Sequence, residues 1–111
     1  MSWHPVAPAA SIPPGDYAQT EIDARLIAVF NVDGKFYAIE DLCTHDGGEL
    51  AGGAVEGDVV ICPRHGARFC LRTGAALTPP AYEPVRTFPT RVTEDGMVEI
   101  LADEQAAPCG G

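Results

Sequence analysis

Between residues 16 and 39 the chain alternates stretches of strand length with turn signals. Residues 16–22 read as a strand, and Arg25-Leu26-Ile27-Ala28-Val29-Phe30 is a short apolar run of strand length. Asn31-Val32-Asp33-Gly34 is a turn signal, because Gly34 takes positive φ at no steric cost. Residues 35–39 then return as the second arm of a hairpin. Further short strands are expected at 58–61 and 68–71, with an edge strand near 3–6. Residues 87–93 and 97–101 are expected to pair around the Asp95-Gly96 turn. Residues 40–57 change character, with five glycines and several acidic positions, and read as a loop rather than a core strand. Residues 62–67 form a second loop, 72–74 a tight turn, and Pro79-Pro80 a stiff loop without backbone donors. Repeats, heptads and a convincing amphipathic helix are absent from the sequence. Eight to ten short strands of this kind imply an all-β fold, an antiparallel sandwich or barrel.

The chain has 111 residues, enough for a single domain spanning 1–111, with a core over about 3–101 and a tail at 102–111. Ten prolines and twelve glycines fit a turn-rich β fold. Seven basic residues against sixteen acidic ones give a formal net charge of −9. That charge repels nucleic acid and anionic membranes and suits docking onto a basic protein surface. An apolar run of about 18 residues is lacking, so no membrane span is expected. The start, Met1-Ser2-Trp3-His4-Pro5, lacks a basic segment followed by an apolar one, so a cytoplasmic, reducing setting is expected. There, cysteines at 43, 62, 70 and 109 point to metal binding or free thiols rather than disulfides.

Cys43-Thr44-His45 and Cys62-Pro63-Arg64-His65 are separated by sixteen residues. Each loop offers one thiolate and one imidazole, and the short strand at 58–61 lies between them. Three readings are open. The four residues are unrelated loop positions; or they form a structural Cys₂His₂ zinc site; or they hold a [2Fe–2S] cluster with the cysteines on one iron and the histidines on the other. Zinc sites usually pair cysteine with cysteine and histidine with histidine, whereas each pair here is mixed.

The pattern C-x-H, sixteen residues, C-x-x-H resembles the signature of Rieske proteins. Cys62-Pro63-Arg64-His65-Gly66-Ala67-Arg68-Phe69, followed by Thr73-Gly74, is similar to the second cluster loop of Rieske ferredoxins serving bacterial ring-hydroxylating dioxygenases. Pro79-Pro80 resembles the proline loop that covers the cluster in that family. The likeness covers roughly residues 3–101. It implies an antiparallel β-sandwich of three small sheets, with a cluster-binding subdomain made of two loops and a covering proline loop. It implies one [2Fe–2S] cluster ligated by Cys43, His45, Cys62 and His65. It also implies a soluble, monomeric one-electron carrier, not an enzyme by itself, between a flavin-dependent NAD(P)H reductase and a terminal Rieske non-haem iron oxygenase. The oxygenase would be another chain, since His4 is the only histidine left for a second iron site. The small subunit of an assimilatory nitrite reductase, an electron-transfer accessory in iron–sulfur metabolism, and a zinc-stabilised interaction module are the alternatives.

Charge counting sets the expected redox behaviour. Two ferric ions, two sulfides and two thiolates make a neutral oxidised site, which accepts an electron more readily than a four-thiolate dianion. Rieske centres span about −150 to +300 mV, against roughly −400 mV for plant-type ferredoxins. High-potential relatives carry an extra disulfide between the cluster loops, at positions matched here by Gly48 and Arg64. Their serine and tyrosine hydroxyls, which donate toward the cluster sulfurs, are matched by Ala67 and Phe69. Without these donors the potential is expected near −150 mV, to within about 100 mV. By the same resemblance the outer imidazole edges of His45 and His65 face solvent, an exit for electrons.

Cys70 is read as a small buried residue, Cys109 as an exposed thiol in the tail, and His4 as a surface residue. Trp3, Tyr17, Phe36 and Tyr37 are read as core or rim aromatics. Arg64 and Arg68 flank His65, either as solvated charges or as docking or cluster-stabilising groups. Asp41, Asp46 and Glu49 are expected to meet a basic partner surface.

Overall fold

Residues 2–22, 24–42, 48–63, 66–79 and 83–102 are described by the structure, a computed structural model. They form β1 (Ser2–Pro8), a 3-10 turn (Ala9–Ser11), β2 (Tyr17–Ile22), β3 (Arg25–Val32), β4 (Lys35–Glu40), β5 (Val55–Glu56), β6 (Val59–Ile61), β7 (Arg68–Cys70), β8 (Thr87–Phe88), β9 (Thr90–Val92) and β10 (Met97–Ala102). The strands make three antiparallel sheets in the orders β1-β10-β9, β2-β3-β4-β8 and β5-β6-β7, as the resemblance implied.

The middle sheet is covered on both faces. Successive side chains of a strand point to opposite sides, and β3 divides accordingly. Ala28 and Phe30 join Ile39 in one core with Val60 and Phe69 of the third sheet. Ile27 and Val29 join Ala38 in a second core with Val98, Ile100 and Ala102 of the first sheet. A strand buried on both faces shows no polar alternation, which is why this segment reads as a continuous apolar run.

The β3–β4 hairpin closes through Asp33 (φ 53°) and Gly34 (φ 89°), the two positive-φ residues that a tight primed turn needs. Asn31, expected in the turn, lies instead at the end of β3; its side-chain carbonyl accepts the Gly34 N–H at 2.8 Å. The strand expected over 87–93 is two strands. Pro89 has no N–H to continue a ladder, and the chain changes sheet there: β8 pairs with β4, and β9 with β10. Ala102, expected to begin the tail, is the last residue of β10, paired with Ser2 and buried. The remaining tail positions, Cys109 included, lie outside the described residues.

Residues 40–57 are also more structured than a simple loop. Glu40 closes β4, residues 55–56 form β5, and Leu50 is fully buried in the core shared with the third sheet. Gly53 has a close-packing role: a Cβ there would overlap the Ile61 carbonyl of β6.

Candidate metal centre

Of the four candidate ligands, Cys62 is described; Cys43, His45 and His65 lie outside the described residues. Cys62 follows β6 directly and is 1% exposed, packed in the core with Ala67 and Phe69. Its N–H donates to the Ala67 carbonyl at 2.7 Å, and its own carbonyl accepts the Gly66 N–H at 3.0 Å. These two main-chain bonds bracket positions 63–65, and Gly66 makes the return with φ 76°. The second loop is thus closed by its own backbone at the point where Cys62 leaves the core.

The first loop is closed by a side chain. Asp41 directly follows β4 and is 3% exposed. One carboxylate oxygen accepts the N–H groups of Leu50 at 2.7 Å and Ala51 at 2.8 Å. The other accepts the Gln19 amide N–H at 2.6 Å. Both ends of the stretch holding Cys43 and His45 are therefore tied to one buried carboxylate, with Leu50 as an apolar anchor beneath.

This corrects the expectation that Asp41 meets a partner surface. Two backbone donors draw its carboxylate inward, since a buried N–H without an acceptor costs about 1–3 kcal/mol. Glu49 is exposed as expected, and its carboxylate accepts a second N–H from Gln19 at 2.9 Å. Asp46 and Arg64 lie outside the described residues. Arg68 stands on β7 with its charge compensated by Glu56, 3.1 Å away.

The two loops meet. Leu42, Gly48 and Glu49 of the first and Pro63 of the second line one open cavity of about 630 Å³, together with Arg25, Glu40 and Asp41. The donor chemistry suits a mixed-ligand iron–sulfur site. Cys62 emerges from apolar packing, which excludes water from its sulfur, and the bracketed turn keeps its backbone fixed. Ala67 and Phe69, beside it, are fully buried and offer no side-chain donor.

Cys70 is 8% exposed, as expected of a small core residue. Burial pushes its thiol pKa up, but bonds from the Thr73 hydroxyl and from the Thr73 and Arg72 N–H groups outweigh burial and leave it below the usual value. His4 departs from expectation: it is half-buried on β1, and its Nε2 is buried without a hydrogen-bond partner among the described residues. Gln19 and Leu50 were not singled out from the sequence. Leu50 carried a signal, as the only large aliphatic residue between 43 and 54. Gln19, an exposed position on β2, carried none.

Comparison with known proteins agrees with this geometry. The family described as "Rieske [2Fe-2S] domain" matches residues 2–89. The chain is 42% identical over 93 residues to the biphenyl dioxygenase ferredoxin subunit of Pseudomonas sp. (strain KKS102), covering 83% of this chain and 85% of that one. It is 43% identical over 99 residues to the 3-phenylpropionate/cinnamic acid dioxygenase ferredoxin subunit of Shigella boydii serotype 4 (strain Sb227), covering 88% and 92%. Its fold matches a chain from the complex of reduced oxygenase and oxidized ferredoxin in carbazole 1,9a-dioxygenase with a TM-score of 0.82 and 36% identity, covering 88% and 91%. This chain belongs to the Rieske [2Fe–2S] domain family. Its cofactor is one [2Fe–2S] cluster.

Proposed function

We propose that this protein carries single electrons from a flavin-dependent NAD(P)H reductase to a terminal ring-hydroxylating oxygenase. Cys43 and Cys62 bind one iron of the cluster, and His45 and His65 the other. When bound, the cluster supplies a one-electron couple. The protein's part is to hold and surround it. The backbone turn at 62–67 and the Asp41 carboxylate fix the loop roots, and the packing around Cys62 keeps water from its sulfur.

The observation that carries this reading is the shared cavity at the loop roots. Cys43 adjoins Leu42 and Cys62 adjoins Pro63 in the sequence, and both of those neighbours line it. The relatives named as dioxygenase ferredoxin subunits support an oxygenase as the acceptor. The net charge of −9 supports recognition of a basic partner surface. The reading includes a single domain over the whole chain, a monomer, and work in the cytoplasm; among the described residues no helix is long and apolar enough to cross a membrane. Catalysis belongs to the oxygenase, which also selects the substrate.

An EPR spectrum of dithionite-reduced protein, purified without added metal, tests the ligand set. A rhombic signal with average g well below that of an all-cysteine [2Fe–2S] cluster is expected of mixed histidine–cysteine ligation. A colourless, EPR-silent protein holding one zinc would overturn the reading. Potentiometry on the same sample is expected to give a midpoint near −150 mV, to within about 100 mV, because Ala67 and Phe69 provide no side-chain donors to the sulfurs. A value well above zero contradicts that cause.

A further inference from the structure

We propose that Asp41, oriented by Gln19, is the positioning residue of the first cluster loop, a latch that sets how firmly Cys43 and His45 hold the cluster. The inference deepens the ligand assignment above and rests on it. Three features carry it.

First, Asp41 is almost wholly buried, yet it sits where the chain leaves β4 for the loop. Its partners on both oxygens are N–H donors. Second, two of those donors, Leu50 and Ala51, lie beyond the far end of the loop. One oxygen therefore joins the exit to the entrance, and the loop cannot open at its base without leaving two N–H groups unpaired. Third, the latch is braced from the neighbouring strand. Gln19 on β2 bonds the second Asp41 oxygen and the Glu49 carboxylate with one amide nitrogen. The Asp41 N–H itself donates to the Leu26 carbonyl at 2.8 Å. The second loop is closed at its root by two backbone bonds, Cys62 to Ala67 and Gly66 to Cys62.

Cys43 is two residues from Asp41. A chain fully extended over two residues spans at most about 7 Å. In the sequence only Leu42 separates the latch from the first ligand.

The test compares Asp41→Ala, Asp41→Asn and Gln19→Ala with Asn31→Ala. Asn31 is the control because it is also a buried polar residue with two hydrogen bonds, to Ile12 and Gly34, but at the other end of the β3–β4 hairpin. Iron release to a chelator is followed under native conditions, alongside EPR of the reduced protein. Asp41→Ala is expected to release iron at least tenfold faster than wild type and to shift or broaden its g values. Asp41→Asn keeps acceptors for Leu50 and Ala51 but sets its amide against that of Gln19, so a smaller acceleration is expected, with Gln19→Ala similar. Asn31→Ala is expected to lower the melting temperature while leaving release rate and g values at wild type. Wild-type release in both Asp41 variants, or equal acceleration in Asn31→Ala, overturns the latch. If Asp41→Ala does not fold, Asp41→Asn and Gln19→Ala decide.

Hydrogen exchange read by mass spectrometry separates this inference from the ligand assignment. Peptides covering Leu50 and Ala51 are expected to lose protection in Asp41→Ala and, less, in Gln19→Ala, whichever metal the wild type holds. Unchanged protection refutes the latch even if the wild-type EPR signal is correct. An absent wild-type signal with lost protection refutes the ligand assignment and leaves the latch as a loop closure.

Discussion

The two loops at the metal centre are closed by different parts of the chain. The second closes on its own backbone: Cys62 bonds Ala67 and Gly66, and no side chain takes part in those two bonds. The first closes on the Asp41 carboxylate, which reaches the N–H groups of Leu50 and Ala51. Backbone closure survives most substitutions, because every residue but proline supplies the same groups. Side-chain closure depends on one residue. The first loop therefore concentrates its sensitivity at a few positions, and the second spreads it thinly.

The sharpest way to break the first loop is at Gly53, where its exit packs on β6. A Cβ at that position would overlap the Ile61 carbonyl and crowd that of Leu50. Backbone cannot turn aside as a side chain can, so Gly53→Ala is expected to destabilise the fold by at least about 3 kcal/mol in chemical unfolding. A loss below about 1 kcal/mol would mean that the β6 contact gives way readily.

Asp41→Ala comes next. It leaves the buried Leu50 N–H and the half-buried Ala51 N–H without their acceptor. At about 1–3 kcal/mol for each unsatisfied buried group, with water reaching Ala51 more easily, the expected loss is about 2–3 kcal/mol. Asp41→Asn, which retains an acceptor oxygen, is expected to lose less than half as much. Equal losses would place the stabilisation in the charge rather than in the closure.

Asp41 also marks the limit of what the sequence discloses. The strands with a clear period or an apolar run, β2 to β4, β6, β7 and β10, were legible because burial repeats along them. The Asp33-Gly34 and Asp95-Gly96 turns were legible because backbone conformation dictates residue type. The ligand pairs stood out because cysteine and histidine are rare here and fall in two short motifs. Asp41 did not stand out: a carboxylate beside an acidic loop looks like surface, and its partners are backbone groups beyond the loop, which any residue would present. The split at Pro89 had a local signal in the proline itself, but the change of partner that follows it is a tertiary event with no mark in the sequence. His4 was misread because nothing local marks it as half-buried; it stands on β1 opposite Ile100 of β10, a tertiary pairing.

In the second loop, Gly66 is the described non-ligand position whose backbone conformation resists substitution. Its φ is 76°, and among the described residues nothing lies within 4 Å of a Cβ built there. Backbone strain resists Gly66→Ala, at about 1–2 kcal/mol. The expected loss is thus smaller than for Asp41→Ala, with Cys62 still paired to Ala67. A larger loss would show that the turn is as concentrated a closure as the first, and would erase the contrast between the loops.

The smallest expected effect concerns Arg68, just past the second loop. Its guanidinium lies 3.1 Å from the Glu56 carboxylate, linking β7 to β5 across β6. Both side chains are well exposed, at 42% and 65%. Water screens such a pair and ordering two long side chains costs entropy, so Arg68→Ala is expected to change stability by less than about 0.5 kcal/mol. The little it contributes should fall further as salt rises. The β6–β7 ladder and the burial of Phe69 hold that edge without the ion pair. A loss above about 1 kcal/mol, insensitive to salt, would mean that the Arg68 side chain acts through packing. The third sheet would then depend on a side-chain tie, as the first loop depends on Asp41.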